Sequence, residues 1–182
     1  KCSMLNKMPG LGFDKYANLK VGYAFMMGHA GKKLLFMGQE FAQLREWSEA
    51  RSLDWFVLDN PLNQGVQRWV KALNNLYNAN DALYANDSDV MGFEWIDCDH
   101  PDKGVVSFIR RGSTPSKQLL FICNFVPVEY DNYEVGAPCF TTYKEVLNSD
   151  DVQFGGAGRL NSGKIKAIDK KTERMPYSIS VT

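Results

Sequence analysis

Two polar side chains, Gln39 and Glu40, follow the apolar run LLFM at residues 34–37 after a single glycine. Glycines at positions 31 and 38 bound this run, which is typical of a strand buried on both faces of a parallel sheet. In an α/β barrel, polar side chains at the carboxyl end of a strand face the active site. The sequence therefore predicts that Gln39 and Glu40 contact a substrate.

Three carboxylates near this point, Glu40, Glu46 and Asp54, are candidates for an acid–base pair. Acid–base catalysis requires burial and neighbouring charges that tune the two pKa values. Arg45 and Arg51 lie among these acids, and ion pairs with Glu40 and Glu46 that shape the loop are the interpretation we favour. We therefore predict supporting roles for these carboxylates and no catalytic residue in this chain.

The charge balance argues against a nucleic-acid partner. Lysine and arginine together number 21, and aspartate and glutamate also number 21. No excess positive charge is therefore present to neutralise a phosphate backbone. The apolar runs are far too short to cross a bilayer, and no signal-like segment opens the chain, so we predict a cytoplasmic protein without a membrane partner.

The cysteines and histidines do not have the spacing that indicates a metal site. Reduced and mostly buried thiols are the interpretation we favour over disulfides in a chain without a signal peptide. We therefore predict no metal and no cofactor. The residues concerned are Cys2, Cys98, Cys123, Cys139, His29 and His100.

The first half of the chain has helical periodicity. Asp14 is placed to cap a helix that ends at Gly28 or Gly31, and a long connection over residues 41–62 leads into a second helix. Apolar side chains recur along that second helix at three- and four-residue spacing, at Val66, Trp69, Val70, Leu73, Leu76 and Tyr77. Helix, strand, long loop and helix form the ending of a βα-type domain, which we place at residues 1–85.

The second half of the chain alternates apolar and polar residues in short segments separated by turn sequences. An antiparallel sandwich is the most economical arrangement for such a pattern. We therefore predict an all-β domain at residues 86–182, beginning in a polar stretch. The predicted strands lie near residues 91–95, 106–110, 119–125, 132–135, 143–147 and 177–181.

Several motifs occur in a fixed order along nearly the whole chain. They are SMLNKMPG (3–10), GKKLLFMG (31–38), EFAQ (40–43), REW (45–47), SLDW (52–55), GVQRWV (65–70), GFEWID (92–97) and EVLN (145–148). Together they resemble the bacterial 1,4-α-glucan (glycogen) branching enzymes of the α-amylase clan, glycoside hydrolase family 13.

The resemblance implies a transglycosidase that cuts an α-1,4-glucan and rejoins the released segment to a 6-hydroxyl, forming α-1,6 branches in glycogen. The implied fold is the α/β tail of a (β/α)8 barrel, with the last strand and flanking helices, followed by an antiparallel β-sandwich of the α-amylase C-terminal type. The family's nucleophile, acid–base residue and third carboxylate would precede Lys1. We therefore expect an inactive C-terminal fragment, as a start without Met and a strand pattern unfinished at Thr182 also suggest.

The resemblance also implies aromatic contacts with glucan. Trp95 matches a tryptophan associated with glucan contact, and ordinary packing in the sandwich is an equal alternative for it. Phe13 stands where the family has the Trp of an Asp-x-Trp segment, whereas Leu11 replaces the Asp. The implied partners are α-glucans, namely glycogen, amylose and maltooligosaccharides, together with the remainder of the catalytic barrel.

Other interpretations stay open. A stand-alone glucan-binding β-sandwich without enzymatic activity would hold maltooligosaccharides through Trp95, Tyr130 or Tyr133. A purely structural role, in which the β-domain covers barrel helices, is a second alternative. A related amylase or debranching enzyme is a third, although the REW and SLDW motifs favour branching.

Overall fold

The computed structural model describes residues 2–182 and divides the chain into two compact units. The first unit contains the residues up to Met27 together with Lys32–Ala79 and Ser149–Gly158. The second unit contains Gly28–Gly31, Asn80–Asn148 and Arg159–Thr182. Each unit is therefore assembled from segments that are distant in sequence.

Helices dominate the first unit, and both helices predicted from periodicity are confirmed. Asp14 lies inside the first turn of its helix rather than at the cap. Four of the predicted apolar positions on the later helix are buried, at Val66, Trp69, Val70 and Leu73. The helical elements are α1 (Met4–Lys7), α2 (Phe13–Gly28), α3 (Pro61–Ala79) and 3-10 turns at Gln39–Phe41 and Trp55–Asp59.

The strand predicted at residues 34–37 is wrong. None of the described residues pairs with this segment. Its side chains are largely exposed, by 76% at Leu34, 48% at Phe36 and 50% at Met37. A strand buried on both faces needs neighbouring strands to satisfy its backbone groups and layers to cover its side chains. The described residues provide neither.

The segment Ser149–Gly158 belongs to the first unit although it lies between two strands of the second unit in sequence. Phe154 packs edge-to-face on Trp69 of α3, with 5.0 Å between ring centroids. Arg68 donates from Nε to the carbonyl oxygen of Gln153 at 2.6 Å. Gly65 permits this close approach, because a Cβ there would lie 2.6 Å from the Phe154 carbonyl oxygen.

We expect Gly65→Ala to lower the free energy of unfolding of the first unit by about 1–3 kcal/mol, because the added methyl group meets backbone rather than a flexible side chain. Gly22→Ala on α2 is the matched control, since a Cβ at that position has no neighbour within 4 Å. That change should raise stability by roughly 0.5–1 kcal/mol, as alanine does within a helix. Urea unfolding followed by tryptophan fluorescence measures both, and equal stabilisation by the two would contradict the packing argument.

The second unit contains three antiparallel sheets, in agreement with the predicted β class. β1 (Phe93–Asp97), β2 (Val105–Arg111) and β3 (Gln118–Asn124) form one sheet in that order. β4 (Tyr133–Ala137) pairs with β7 (Tyr177–Val181), and β5 (Thr142–Tyr143) pairs with β6 (Ile165–Lys166). Of the segment predicted at residues 143–147, only Tyr143 lies in a strand, the two-residue β5, and β6 was not predicted.

The two faces of the β1-β2-β3 sheet have different partners. Ile96 and Ile109 join Val135, Ala137 and Ile179 of the β4-β7 pair in one buried cluster, which is the core of a sandwich. Alternate residues of a strand point to opposite sides of a sheet, so the aromatic residues of these strands share the opposite face. It contains Phe93, Trp95, Phe108 and Phe121.

All four cysteines are free, as predicted, but the prediction that most are buried is wrong. Cys123 alone among them is buried, whereas Cys2 and Cys139 are exposed and Cys98 is intermediate. Burial raises the pKa of the Cys123 thiol to about 12, which keeps it protonated. Within residues 2–182, none of the helices is long and apolar enough to cross a membrane.

Candidate functional site

A cleft of about 140 Å³ opens beside the 3-10 turn Gln39–Phe41 in the first unit. Its walls come from residues 2–7 and 36–47. Asn6 ties these two segments together, because its side-chain amide donates to the carbonyl oxygen of Leu44 at 2.8 Å. Gln39, which the sequence singled out, lines this cleft.

The loop along one wall is fixed by a buried asparagine. Asn63 of α3 donates from Nδ2 to the carbonyl oxygens of Phe41 and Ala42, both at 2.9 Å. The Tyr16 hydroxyl donates to Asn63 Oδ1 at 2.9 Å and orients the amide. Ala42 has a φ of +56°, a left-handed conformation that alanine adopts only where its surroundings impose it. The wall is therefore held in shape before any ligand arrives.

An ion pair and an amide fix the far end of the same loop. Arg45 donates from Nε to Asp54 Oδ2 at 2.7 Å, and its Nη2 also donates to Asp54 Oδ1. Gln43 accepts from the Asp54 backbone N–H and donates to the Arg45 carbonyl oxygen, both at 2.8 Å. The hydrogen bonds from Arg45 hold the pKa of the Asp54 carboxyl below its usual range. Asp54 is therefore a charged anchor of the loop.

The ion pairs predicted for Glu40 and Glu46 are not formed. Arg45 binds Asp54 instead, and Arg51 donates to the backbone carbonyl of Glu46 at 2.6 Å. Neither glutamate side chain has an ion pair or hydrogen bond to any residue within 2–182. Arg45 makes two parallel hydrogen bonds to the Asp54 carboxylate. Such bidentate pairs are stronger than single contacts, which explains why Arg45 pairs with Asp54 rather than with Glu40 or Glu46.

We expect Asp54→Asn to accelerate hydrogen exchange in the loop at residues 43–57. The carboxylate's contribution to stability is present above its unfolded pKa and is lost as pH falls through its lowered folded pKa. The variant should therefore lose part of the acid dependence of unfolding that the parent chain shows. Asp59→Asn is the control, because Asp59 is exposed in the same connection. Equal exchange rates in the two variants would exclude the anchoring role.

Aromatic side chains flank the cleft. Trp47 lines it with 37% of its surface exposed, and it packs edge-to-face on Phe36 with 5.3 Å between ring centroids. Trp55 packs on Phe41 at 4.9 Å and does not line the cleft. Both tryptophans flank the long connection, where the sequence favours packing over ligand contact, yet Trp47 and Trp55 are exposed by 37% and 54%. The position of Trp47 eight residues after Gln39, in the same loop, is the signal that was available.

The four predicted contact residues do not converge on this cleft. Gln39 lines it, whereas Glu40 and Phe13 are not among its lining residues. Phe13 is the exposed first residue of α2. Trp95 lies in the second unit, where it packs against Phe93 at 5.0 Å and Phe108 at 5.7 Å and is half-buried.

The chemistry of the cleft is that of a polar binding surface. Glu46 is the single carboxylate among its described lining residues, beside the amides of Gln39 and Gln43 and the charged groups of Lys7 and Arg45. Amide and charged groups of this kind bind hydroxyl groups, and the Trp47 ring offers an apolar face. In the part of the chain that the structure describes, no group of three or more histidine, cysteine, aspartate or glutamate side chains is arranged to hold a metal ion.

Comparison with known proteins gives one consistent result. Residues 95–182 match the model of the alpha amylase C-terminal all-beta domain. The 1,4-alpha-glucan branching enzyme GlgB of Butyrivibrio fibrisolvens is 49% identical over 179 residues, covering 98% of this chain and 28% of that enzyme. The enzymes of the same name from Gloeobacter violaceus and Halothermothrix orenii are 44% and 43% identical over 100% of this chain and 25% and 29% of their own lengths. The chain thus spans between a quarter and a third of these relatives.

Proposed function

The chain belongs to the family of 1,4-alpha-glucan branching enzymes and corresponds to their C-terminal part, and from this premise we propose that it serves a glucan branching transglycosidase. The activity is the cleavage of an α-1,4-glucan and the transfer of the released segment to a 6-hydroxyl, which makes the α-1,6 branches of glycogen. The enzyme is a cytoplasmic one. The chain supplies scaffold and glucan-contact surface rather than catalytic groups.

The observation that carries the non-catalytic role is the set of acids at the cleft. A retaining transglycosidase needs two carboxyl groups roughly 5–5.5 Å apart, one as nucleophile and one as acid and base. Glu46 has no second carboxylate among the described residues that line the cleft, and Asp54 is engaged by Arg45. The catalytic pair is therefore expected in polypeptide that precedes this chain.

Glucan contact is assigned to the cleft and to exposed aromatic rings. Gln39 and Glu46 are suited to hydrogen-bond sugar hydroxyls while the Trp47 ring stacks on a pyranose face. Phe13 and Glu40 remain candidate contacts in the first unit, and Trp95 remains one in the second.

We place the end of the (β/α)8 barrel at residues 1–85 and the C-terminal all-β domain at residues 86–182. The exposed apolar side chains of residues 34–37 support this placement, because contiguous apolar surface of this kind marks an interface. The remainder of the catalytic barrel is the partner expected to cover them.

A chimeric enzyme tests this function. We would replace the matching C-terminal part of the Butyrivibrio fibrisolvens enzyme by this chain and measure branching of amylose by the loss of iodine absorbance. The chimera should branch amylose, whereas the isolated chain should not. Branching by the isolated chain, or a folded chimera without activity, would refute the proposal.

Two tryptophan variants of the chimera test the cleft. Trp47→Ala should lower kcat/KM about tenfold, which corresponds to the loss of one stacking contact. Trp55→Ala is the matched control, because its ring is exposed in the same connection but does not line the cleft. Equal losses in the two variants would show that the cleft does not contact glucan.

A further inference from the structure

A pair of tyrosine rings lies at one end of the β4-β7 sheet in the second unit. The rings of Tyr130 and Tyr133 have centroids 5.0 Å apart and planes inclined by 57°. Both side chains are half-buried, and Tyr133 packs against the core of the sandwich. The pair therefore presents aromatic surface that is anchored from below.

The loop that carries these rings is held in one conformation. Asn132, which lies between them in sequence, has a φ of +53°, a left-handed conformation that asparagine adopts more readily than most residues. The Tyr130 hydroxyl donates to the Lys103 carbonyl oxygen at 2.8 Å. Arg159 binds Asp131 at 2.7 Å and Glu129 at 3.1 Å, which fixes both flanks of Tyr130. A surface ordered in advance loses little conformational entropy when a ligand binds.

Groups that bind hydroxyls lie near the Tyr133 ring. The Lys103 ammonium lies 6.0 Å from the centroid of the Tyr133 ring. The Asp97 carboxylate contacts His100 Nδ1 at 2.8 and 2.9 Å, and both side chains are partly exposed. Burial raises the pKa of Tyr133, so its hydroxyl stays protonated and can donate. A donor and an acceptor group, Lys103 and Asp97, thus lie close enough to Tyr133 to act on a ligand bound there.

The charges of this surface favour a neutral ligand over a polyanion. Acidic side chains outnumber basic ones, so a phosphate backbone would be repelled rather than attracted. A neutral ligand with an apolar face and a rim of hydroxyl groups fits both the rings and their polar surround. The charged residues concerned are Asp97, Asp102, Glu129, Asp131, His100, Lys103 and Arg159.

We propose that this surface, which we call the tyrosine platform (Tyr130 and Tyr133 with Asp97, His100 and Lys103), is a non-catalytic binding site for an α-1,4-glucan chain. The choice of an α-glucan among neutral carbohydrates rests on the proposed function. The platform binds one or two glucose units by stacking, and Asp97, His100 and Lys103 hydrogen-bond their hydroxyls. Its role is to hold a long glucan on the β-domain.

Titration of the full chain with maltoheptaose, followed by ¹⁵N chemical shifts, tests the platform. Shift changes should appear at residues 97–104 and 129–133, and Tyr133→Ala should weaken that binding by about fivefold or more. Tyr133→Phe keeps the ring and should retain most of the affinity. Phe140→Ala is the matched control, because that exposed ring packs on Tyr177 at the opposite end of the β4-β7 pair.

The outcomes separate the platform from the cleft. If Tyr133→Ala does not fold, Lys103→Ala and Asp97→Asn, at partly exposed positions beside the ring, must each weaken binding instead. Shifts at the platform without shifts at residues 36–47 would support the platform even if the cleft proposal fails. Shifts confined to residues 36–47, or no shift with about 10 mM maltoheptaose, a concentration at which even weak sites fill, would overturn it.

Discussion

Replacing Arg110 by methionine is expected to lower the free energy of unfolding of the second unit by about 3–5 kcal/mol. The Arg110 side chain is 0% exposed, and it donates to the Gly28 carbonyl oxygen at 2.7 Å, the Gly92 carbonyl oxygen at 3.1 Å and Asp87 Oδ1 at 2.6 Å. Methionine fills a similar volume but donates no hydrogen bond. Two carbonyl groups and a largely buried carboxylate would lose their partner at once.

Arg111→Met is the matched control, one residue along the same strand. Arg111 pairs with Glu94, and both side chains are partly exposed. Exposed pairs contribute about 0–1 kcal/mol, so this variant should unfold at nearly the same urea concentration as the parent. Far-UV circular dichroism measures both transitions, and hydrogen exchange in β2 and β3 assigns the loss to the second unit. Equal destabilisation by the two variants would contradict the role given to burial.

Arg110 also holds a neighbouring segment on the aromatic face of the sheet. It holds the carbonyl of Gly28, at the start of the segment Gly28–Gly31, against the sheet. A Cβ at Gly28 would lie 2.6 Å from the Phe121 ring, so glycine is needed at this contact. The His29 ring then lies 4.8 Å from Phe93. The hydrogen bond from Arg110 to Gly28 thus positions the residues that cover this aromatic face.

The strands of the second unit were predictable because each has one apolar face toward a core. Period-two alternation marked β1, β2, β3, β4 and β7, and all five are present. β6 was missed because two residues cannot show alternation, and β5 shares only Tyr143 with the segment predicted at residues 143–147. Period-two alternation therefore identified the strands that are long enough to show it.

The prediction of a strand at residues 34–37 is wrong because an apolar run indicates that a segment is suited to burial but does not show which segment would cover it. Within residues 2–182 that partner is absent, and the segment stays unpaired. The placement of Ser149–Gly158 in the first unit was equally hidden. It depends on side chains that bind backbone carbonyl groups far away in sequence. Because every residue has such a group, the sequence does not show which ones are bound.

The candidate site was predictable only at Gln39, whose place after an apolar run drew attention to it. Trp47 and Glu46 line the same cleft but were assigned to packing and to ion pairs. The competition for Arg45 could not be resolved from sequence, because Glu46 is its neighbour while Asp54 is nine residues away. The bidentate geometry that decides it exists only in the folded loop.

Replacing Lys20 by methionine is expected to lower the free energy of unfolding of the first unit by about 2–4 kcal/mol, since each carbonyl left unpaired costs about 1–3 kcal/mol. Lys20 of α2 is 2% exposed. Its ammonium donates to the Ser149 carbonyl oxygen at 2.7 Å and to the Phe154 carbonyl oxygen at 2.9 Å. Lys15→Met, on the same helix at a more exposed position, is the control and should change stability little.

The contribution of Lys20 to stability should change with pH, which a contribution from packing alone would not do. Burial lowers the pKa of Lys20 from 10.5 to about 8, while the Asp150 carboxylate acts in the opposite direction. Between these two values the unfolded chain binds more protons than the folded one, so the contribution of Lys20 to stability rises with pH. The neutral amine still has two N–H groups, enough for both carbonyls.

The stability difference between the parent chain and Lys20→Met should therefore widen as pH rises from about 7 to about 10. Urea unfolding of both proteins across this range, followed by tryptophan fluorescence, measures the difference directly. Trp69 is a suitable reporter, because its indole N–H donates to the Lys20 carbonyl oxygen at 2.9 Å and its ring packs on Phe154. A difference that narrows with pH would mean that Lys20 holds Ser149–Gly158 only through its charge, and the desolvation argument would be wrong.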